Sequence, residues 1–186
     1  MVNPVPTLET ARLLLVPISL DDAAGYAEHF VDYEVIRYLS ADVPWPYPPG
    51  GVESFLSEVV IPVQGQDRWV WALRSKAAPE ACIGAIDLWR DGQPEHRGFW
   101  LGRRFWGQGL MTEACEAVNA HAFEALGFEE LIFANAAGNL GSRRVKEKTG
   151  AEFLGVGPGR YVDPKLTEQE LWRLRRSVWQ RRQALR

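Results

Sequence analysis

Phe99-Trp-Leu-Gly-Arg-Arg-Phe-Trp-Gly-Gln-Gly-Leu-Met-Thr112 runs from a hydrophobic, strand-like segment into a glycine-bearing turn, which opens a long helical pattern from Leu110 to Leu126. A glycine turn at a helix start presents backbone N–H groups that have no acceptor within the helix. With the positive end of the helix dipole, those groups form a site for a phosphate. Gly107 and Gly109 carry no Cβ, so the backbone can approach an anion closely. Arg104 adds a fixed positive charge at the mouth. The same glycines also suit a plain strand-to-helix turn, so the stretch alone leaves both readings open.

The 186 residues fit a single domain over 1–186, with a core spanning about 10–179. The composition, 46% hydrophobic and 24% charged, is that of an ordinary globular protein. A net charge of −3 offers no general drive toward nucleic acid. Neither of the two cysteines, Cys82 and Cys115, belongs to a Cys-x-x-Cys pair, so no metal or redox motif is present. Both read as buried free thiols, which suits a reducing cytoplasm. The segment Met1 to Thr10 lacks a basic start followed by an apolar stretch, and no apolar run is long enough to span a bilayer. A cytoplasmic protein without a membrane partner is the expectation.

Along the chain, Ala11 to Ile18 reads as a strand stopped at Pro17. Ser19 reads as an N-cap with Asp21 and Asp22 in the first turn that follows. Ala23, Tyr26, Ala27 and Phe30 have helical spacing, and a second short helical segment covers Tyr33 to Leu39. Val43-Pro-Trp-Pro-Tyr-Pro-Pro-Gly-Gly51 excludes regular structure. Its aromatic residues, Trp45 and Tyr47 among them, suit the wall of a substrate pocket or a packed connector. Val52, Phe55, Leu56, Val59 and Val60 mark another amphipathic helix. Strands follow at Arg68–Arg74, Ala81–Trp89 and Arg97–Leu101. After the long helix, closed by Gly127, come a strand Leu131–Asn135, a helix Ser142–Thr149 capped by Ser142, and a strand Ala151–Val156. The tail around Glu170–Leu174 fits either a helix or a closing strand. Mixed strands and helices of this kind imply an α/β or α+β layered architecture.

The run Asn139-x-x-Ser142-x-Arg144-Val145-x-Glu147-Lys148-x-Gly150 specifies seven positions in twelve residues. It resembles the signature of the ribosomal-protein N-terminal acetyltransferase, RimJ/RimL-like, branch of the GNAT N-acetyltransferases. Arg104-x-x-Gly107-x-Gly109 resembles the pyrophosphate motif of the same family. Thr10-Ala-Arg-Leu, the Pro44-Trp-Pro-Tyr-Pro-Pro loop, Ile83-Gly84 and Gly98-Phe-Trp-Leu add to the likeness, which extends from about Thr10 to Trp179.

The resemblance implies a mixed, mostly antiparallel sheet of six to seven strands flanked by helices. Its fourth and fifth strands, Arg97–Leu101 and Leu131–Asn135, would splay apart around the pantetheine arm of acetyl-CoA, the acyl donor. It also implies that Trp100 and Leu101 offer backbone groups to that arm. Gly107, Gln108, Gly109, Leu110 and Met111 would cradle the phosphates beside Arg104, and Asn139 and Ser142 would contact the arm and the thiol. The reaction implied is acetyl transfer to an amine, with no metal required.

That chemistry asks for three things. An amine with a pKa of about 8–10 must lose a proton before it attacks. The thioester oxygen needs an N–H donor as it gains charge. The leaving thiolate takes up a proton. Aligned through Gly98, the position of the family's strand glutamate is His96, a competent base near neutral pH. Glu95 should face the other way if the strand alternates. Asp87 is a second candidate base. The tyrosine that many relatives use as the acid is replaced by Lys146, so Ser142 becomes the candidate for bonding the leaving sulfur.

The acceptor is left open between a protein N-terminus and a small amine such as an antibiotic, polyamine or amino acid. A non-catalytic acyl-CoA-binding module is the alternative from another class. Gly107-Gln-Gly109 is followed by neither a third Rossmann glycine nor a Walker Lys-Ser/Thr, which argues against a nucleotide-binding fold. The oligomeric state is not legible, and a homodimer stays open.

Overall fold

The computed structural model describes residues 4–90 and 95–185. Five antiparallel strands form the first sheet: Leu8–Glu9 (β1), Leu13–Pro17 (β2), Arg68–Ser75 (β3), Gly84–Trp89 (β4) and Arg97–Leu101 (β5), in that spatial order. A second sheet holds Glu130–Ala136 (β6), Glu168–Arg175 (β8) and Glu152–Pro158 (β7), with β8 in the middle and antiparallel to both neighbours. The helices are Ala23–His29 (α1), Tyr33–Ile36 (α2), Gly51–Phe55 (α3), Leu110–Glu124 (α4), Leu140–Thr149 (α5) and Arg176–Gln183 (α6).

The first sheet is covered on both faces, which is why β3 reads as a continuous apolar run rather than an alternating one. Trp69, Trp71 and Leu73 join Leu13, Leu15, Ile86 and Leu88 in one core, packed against Ala114, Cys115, Val118 and Phe123 of α4. Val70, Ala72, Ala85 and Trp100 point the other way. They form a second core with Tyr26 and Phe30 of α1, Val35 and Ile36 of α2, and Val52 and Leu56.

Several boundaries differ from the sequence reading. The Ala81–Trp89 strand begins only at Gly84. The helix after Phe55 continues as a π-turn, Leu56–Val60, then a 3₁₀ turn, Ile61–Val63. The cap of α5 is Asn139 rather than Ser142: its Oδ1 accepts from the Ser142 amide at 3.1 Å. The tail is both alternatives in succession, strand β8 and then helix α6. Ser19 does start the first helical turn, where its amide donates to Asp22 Oδ2 at 3.0 Å. Cys82 and Cys115 are free and buried. Among the described residues no helix is long and apolar enough to cross a membrane.

The two sheets meet between β5 and β6, and only at the start of β5. The His96 amide donates to the Ile132 carbonyl at 2.8 Å, the Ile132 amide to His96 Nδ1 at 2.8 Å, and the Ala134 amide to Glu95 Oε2 at 2.9 Å. No ladder joins the two strands beyond that point among the described residues. A splayed pair, which the resemblance implies, is compatible with this break between the sheets.

Candidate functional site

The turn leading into α4 holds Gly107 at φ +74° and Gly109 at φ +78°, in the left-handed region that favours glycine. Nothing lies within 4 Å of where a Cβ on Gly107 would stand. The amides of Gly107, Gln108, Gly109, Leu110 and Met111 donate to no acceptor among the described residues. Five successive donors therefore stand without an acceptor at the N-terminus of a 15-residue helix.

The turn is fixed from behind. Arg12 donates through Nη1 to the Gln108 carbonyl at 2.9 Å and through Nε to Glu113 Oε2 at 2.8 Å. The Arg12 amide and the Thr10 hydroxyl both donate to Glu113 Oε1. Thr10-Ala-Arg-Leu, quoted from the sequence only as a likeness, is thus a clamp on the first turn of α4. Burial alone would raise the Glu113 pKa. Hydrogen bonds from Thr10 and Arg12 outweigh it and hold the carboxyl below its usual range.

Arg104 is exposed, lies over the Phe105 ring, and reaches Glu28 at 3.9 Å. With Arg103, Glu28, His29 and Asp32 it lines an open cleft of about 390 Å³ beside the turn.

The register of β4 against β5 decides which backbone groups face the gap. Trp89 donates to the His96 carbonyl at one end of the ladder, and Gly102 to the Ile83 carbonyl at the other. Backbone groups alternate along a strand, so those of Trp100 are turned to β4, and those of Phe99 and Leu101 toward β6. Of the expected pair, Leu101 but not Trp100 turns its backbone groups away from β4, and Phe99 does so as well. Of these, the Leu101 carbonyl already accepts from the Trp106 indole at 2.6 Å. The Trp100 side chain packs against Tyr26, Phe30 and His29 in the second core.

The candidate bases are not brought together. His96 has Nδ1 occupied by the Ile132 amide and its ring edge-on to Phe128, at the join between the sheets. Asp87 is gripped by Arg68, whose Nε donates to its two oxygens at 3.0 and 3.1 Å. Burial raises the Asp87 pKa, against the pull of that guanidinium.

Glu95 instead faces the gap. Its charge is felt by Lys146 of α5 and by Tyr161 in the β7–β8 connection. Burial raises its pKa, partly offset by Lys146 and by the Ala134 amide. Alternation set Glu95 aside because it assumed a regular strand back from Gly98. The chain twists there: the N–H of His96 goes to β6 while its C=O goes to β4. A regular strand residue turns both groups to the same side.

On the β6 side, Asn139 spends its Oδ1 on the cap of α5. Ser142, one turn on, is 9% exposed, and its Oγ accepts from Lys146 Nζ at 2.8 Å. Lys146 is 2% exposed, and its Nζ sits 5.4 Å from the centre of the Phe99 ring. Burial, then the charge of Arg97, pulls its pKa down to about 7. Nearby, Glu170 accepts from Arg143 Nε at 3.1 Å and from Asn135 Nδ2 at 3.0 Å.

The far wall is built by main-chain bonds between the α2 end and the β7–β8 connection. Val162 donates to the Leu39 carbonyl at 3.0 Å, and Arg37 pairs with Asp163 at 2.7 Å. The proline-rich loop lies alongside, with Tyr47 edge-on to Phe30 and Trp45 against Tyr33, still 41% exposed. Glu95, Tyr161 and Lys146 are the residues that sequence reasoning left out of the site. Only the replacement at Lys146 left a mark in the sequence.

Residues 12–152 match the model of the acetyltransferase (GNAT) domain. The FsC-acetyl coenzyme A-N(2)-transacetylase of Aspergillus fumigatus is 28% identical over 192 residues, covering 96% of this chain and 80% of that protein. Mycobacterium smegmatis RimJ, solved in complex with CoA-disulfide, superposes with a TM-score of 0.80 at 14% identity over 97% of this chain and 95% of its own. The ribosomal-protein-S5-alanine acetyltransferase of Vibrio fischeri gives a TM-score of 0.77 at 18% identity, over 94% and 98%. At such identities the two solved structures share the fold.

Proposed function

The chain belongs to the GNAT acetyltransferase family, and from that premise we propose that it moves the acetyl group of acetyl-CoA to a primary amine, with a protein N-terminal α-amine as the acceptor. The five unpaired amides at residues 107–111 carry this reading, because free N–H donors at a helix N-terminus suit a pyrophosphate.

Acetyl-CoA supplies the activated thioester; the chain supplies position and proton traffic. Arg12 and Glu113 keep the cradle in shape. The gap between β5 and β6 takes the pantetheine arm, with Phe99 and Leu101 on one wall and Asn139 and Ser142 on the other. Glu95 takes the proton of the attacking amine. Burial raises its pKa, which makes it a stronger base than an exposed carboxylate. The hydroxyl of Ser142 meets the leaving sulfur. Trp45, Tyr47 and Tyr161 border the acceptor's approach.

The Aspergillus relative favours a second reading, a small-molecule acceptor, since its name specifies an N(2) transfer and no protein. Turnover of acetyl-CoA against a panel of peptides and small amines, followed by thiol release, tests both. Release with N-terminal peptides alone supports the first reading, and release with small amines alone the second. Binding of acetyl-CoA without turnover of any amine would contradict both and favour a binding module.

A further inference from the structure

Lys146 is out of place as a structural residue. Its side chain is buried, its Nζ has one hydrogen-bond partner, Ser142 Oγ at 2.8 Å, and it forms no ion pair among the described residues. A buried ammonium normally has a carboxylate partner, and burying one without it is costly. A leucine or methionine would fill the same space at less cost.

The pair is buried between α5 and β5, where the proposed function places the thioester. Phe99, over whose ring Nζ lies, is one wall, and Ser142 is the other. The charged and titratable groups that face Nζ are Arg97 on β5, Cys115 on α4, Glu95 just before β5, and Glu170 on β8. They mix both signs, and burial opposes the charged form.

We propose that Lys146 supplies, through Ser142, the proton that the leaving thiolate of CoA takes up. The inference rests on the reading that the thioester lies against Ser142. The amine nitrogen bonds to the acetyl carbon and the carbon–sulfur bond breaks, leaving its electron pair on sulfur. Sulfur takes the Ser142 hydroxyl proton, and Ser142 takes one from the Lys146 ammonium. The amine's proton leaves to Glu95 and then to water, and Lys146 is reprotonated from water, so one proton is lost and one gained per turnover. Lys146 touches Ser142 and not the substrate. Its role is to keep that hydroxyl able to donate.

Free CoA tests this without knowledge of the acceptor. Its thiolate is read by ultraviolet absorbance while the complex is titrated with base. In the wild-type protein the bound thiol should show roughly tenfold more thiolate at neutral pH than free CoA, because a charged Lys146 behind Ser142 stabilises it. Lys146→Met should abolish that excess while CoA affinity stays within about threefold, and Ser142→Ala should abolish it whatever it does to affinity. If Lys146→Met fails to fold, Lys146→Gln, which carries no charge and cannot supply a proton, decides the matter. An unchanged thiolate excess in a folded variant overturns the relay and leaves the acetyl-CoA site intact. Failure of the wild-type protein to bind CoA overturns the site and the relay together.

Discussion

Arg12 and Glu113 lie 101 residues apart in the chain and meet at 2.8 Å, with the same guanidinium reaching the Gln108 carbonyl of the glycine turn at 2.9 Å. The first long strand is therefore bolted to the loop expected to hold the diphosphate. Arg12 is half exposed, so the pair itself contributes only about 0.2–1 kcal/mol to stability. Its effect on loop shape is the larger one. Arg12→Ala is expected to raise KM for acetyl-CoA about tenfold with kcat nearly unchanged, because a misplaced cradle costs binding. Steady-state kinetics with acetyl-CoA varied check this. The Glu113 pKa is depressed in the folded state, so its contribution to stability is present above the unfolded value and is lost as pH falls through the folded one.

Gly107 and Gly127 form a matched pair for testing the cradle. Both have positive φ, +74° and +72°, and neither has an atom within 4 Å of a prospective Cβ. Alanine at either position should cost about 1–2 kcal/mol of stability through backbone strain alone. Thermal unfolding should show similar losses for the two variants. Only Gly107→Ala should weaken acetyl-CoA binding in isothermal titration, by about tenfold or more.

The divided roles of Glu95 and His96 make the next contrast. Glu95→Gln should lower kcat by about 10²–10⁴ and remove the acidic limb of the pH–rate profile. That limb lies above the ordinary carboxylate range, because burial raises the Glu95 pKa. His96→Phe keeps the ring but removes the acceptor of the Ile132 amide, so it should lower the melting temperature while largely sparing kcat. The reverse pattern would return the base role to His96.

Lys146 gives a stability signature with a definite sign. Its folded pKa, about 7, lies below the ordinary lysine value of 10.5. Between those two pH values the unfolded chain binds more protons, so stability should rise with pH across that window, by up to about 1.4 kcal/mol per pH unit. Below about pH 7 the full cost of burying the ammonium is felt. Lys146→Met should flatten this slope and be at least as stable at neutral pH. Melting temperatures of both proteins between neutral and alkaline pH provide the check.

The parts of this molecule that were legible in its sequence are those set by local rules. Helix α4 announced itself through Gly109 and the stripe from Leu110 onward, and the Ser19–Asp22 turn through its capping residues. The family came from Asn139–Gly150 and the glycine turn. What was missed depends on contacts distant in the chain. The clamp of Thr10 and Arg12 on Glu113 spans about a hundred residues, and no periodicity encodes it. The aim of Glu95 follows from the twist at His96, where one residue bonds to both sheets, and strand alternation fails at such a place. Ser142 looked like a cap because serine before a helical run usually is one, yet Asn139 three residues earlier took the role and freed the hydroxyl for Lys146.

The account depends most on the main-chain amides of Gly107, Gln108, Gly109, Leu110 and Met111 as the diphosphate cradle. Amide resonances in a ¹⁵N-labelled sample, followed while acetyl-CoA is added, report on them one by one. These five should shift downfield together as acetyl-CoA binds, and hardly move when S-acetylpantetheine, which lacks the diphosphate, is added instead. Saturation with acetyl-CoA that leaves all five in place would contradict the account.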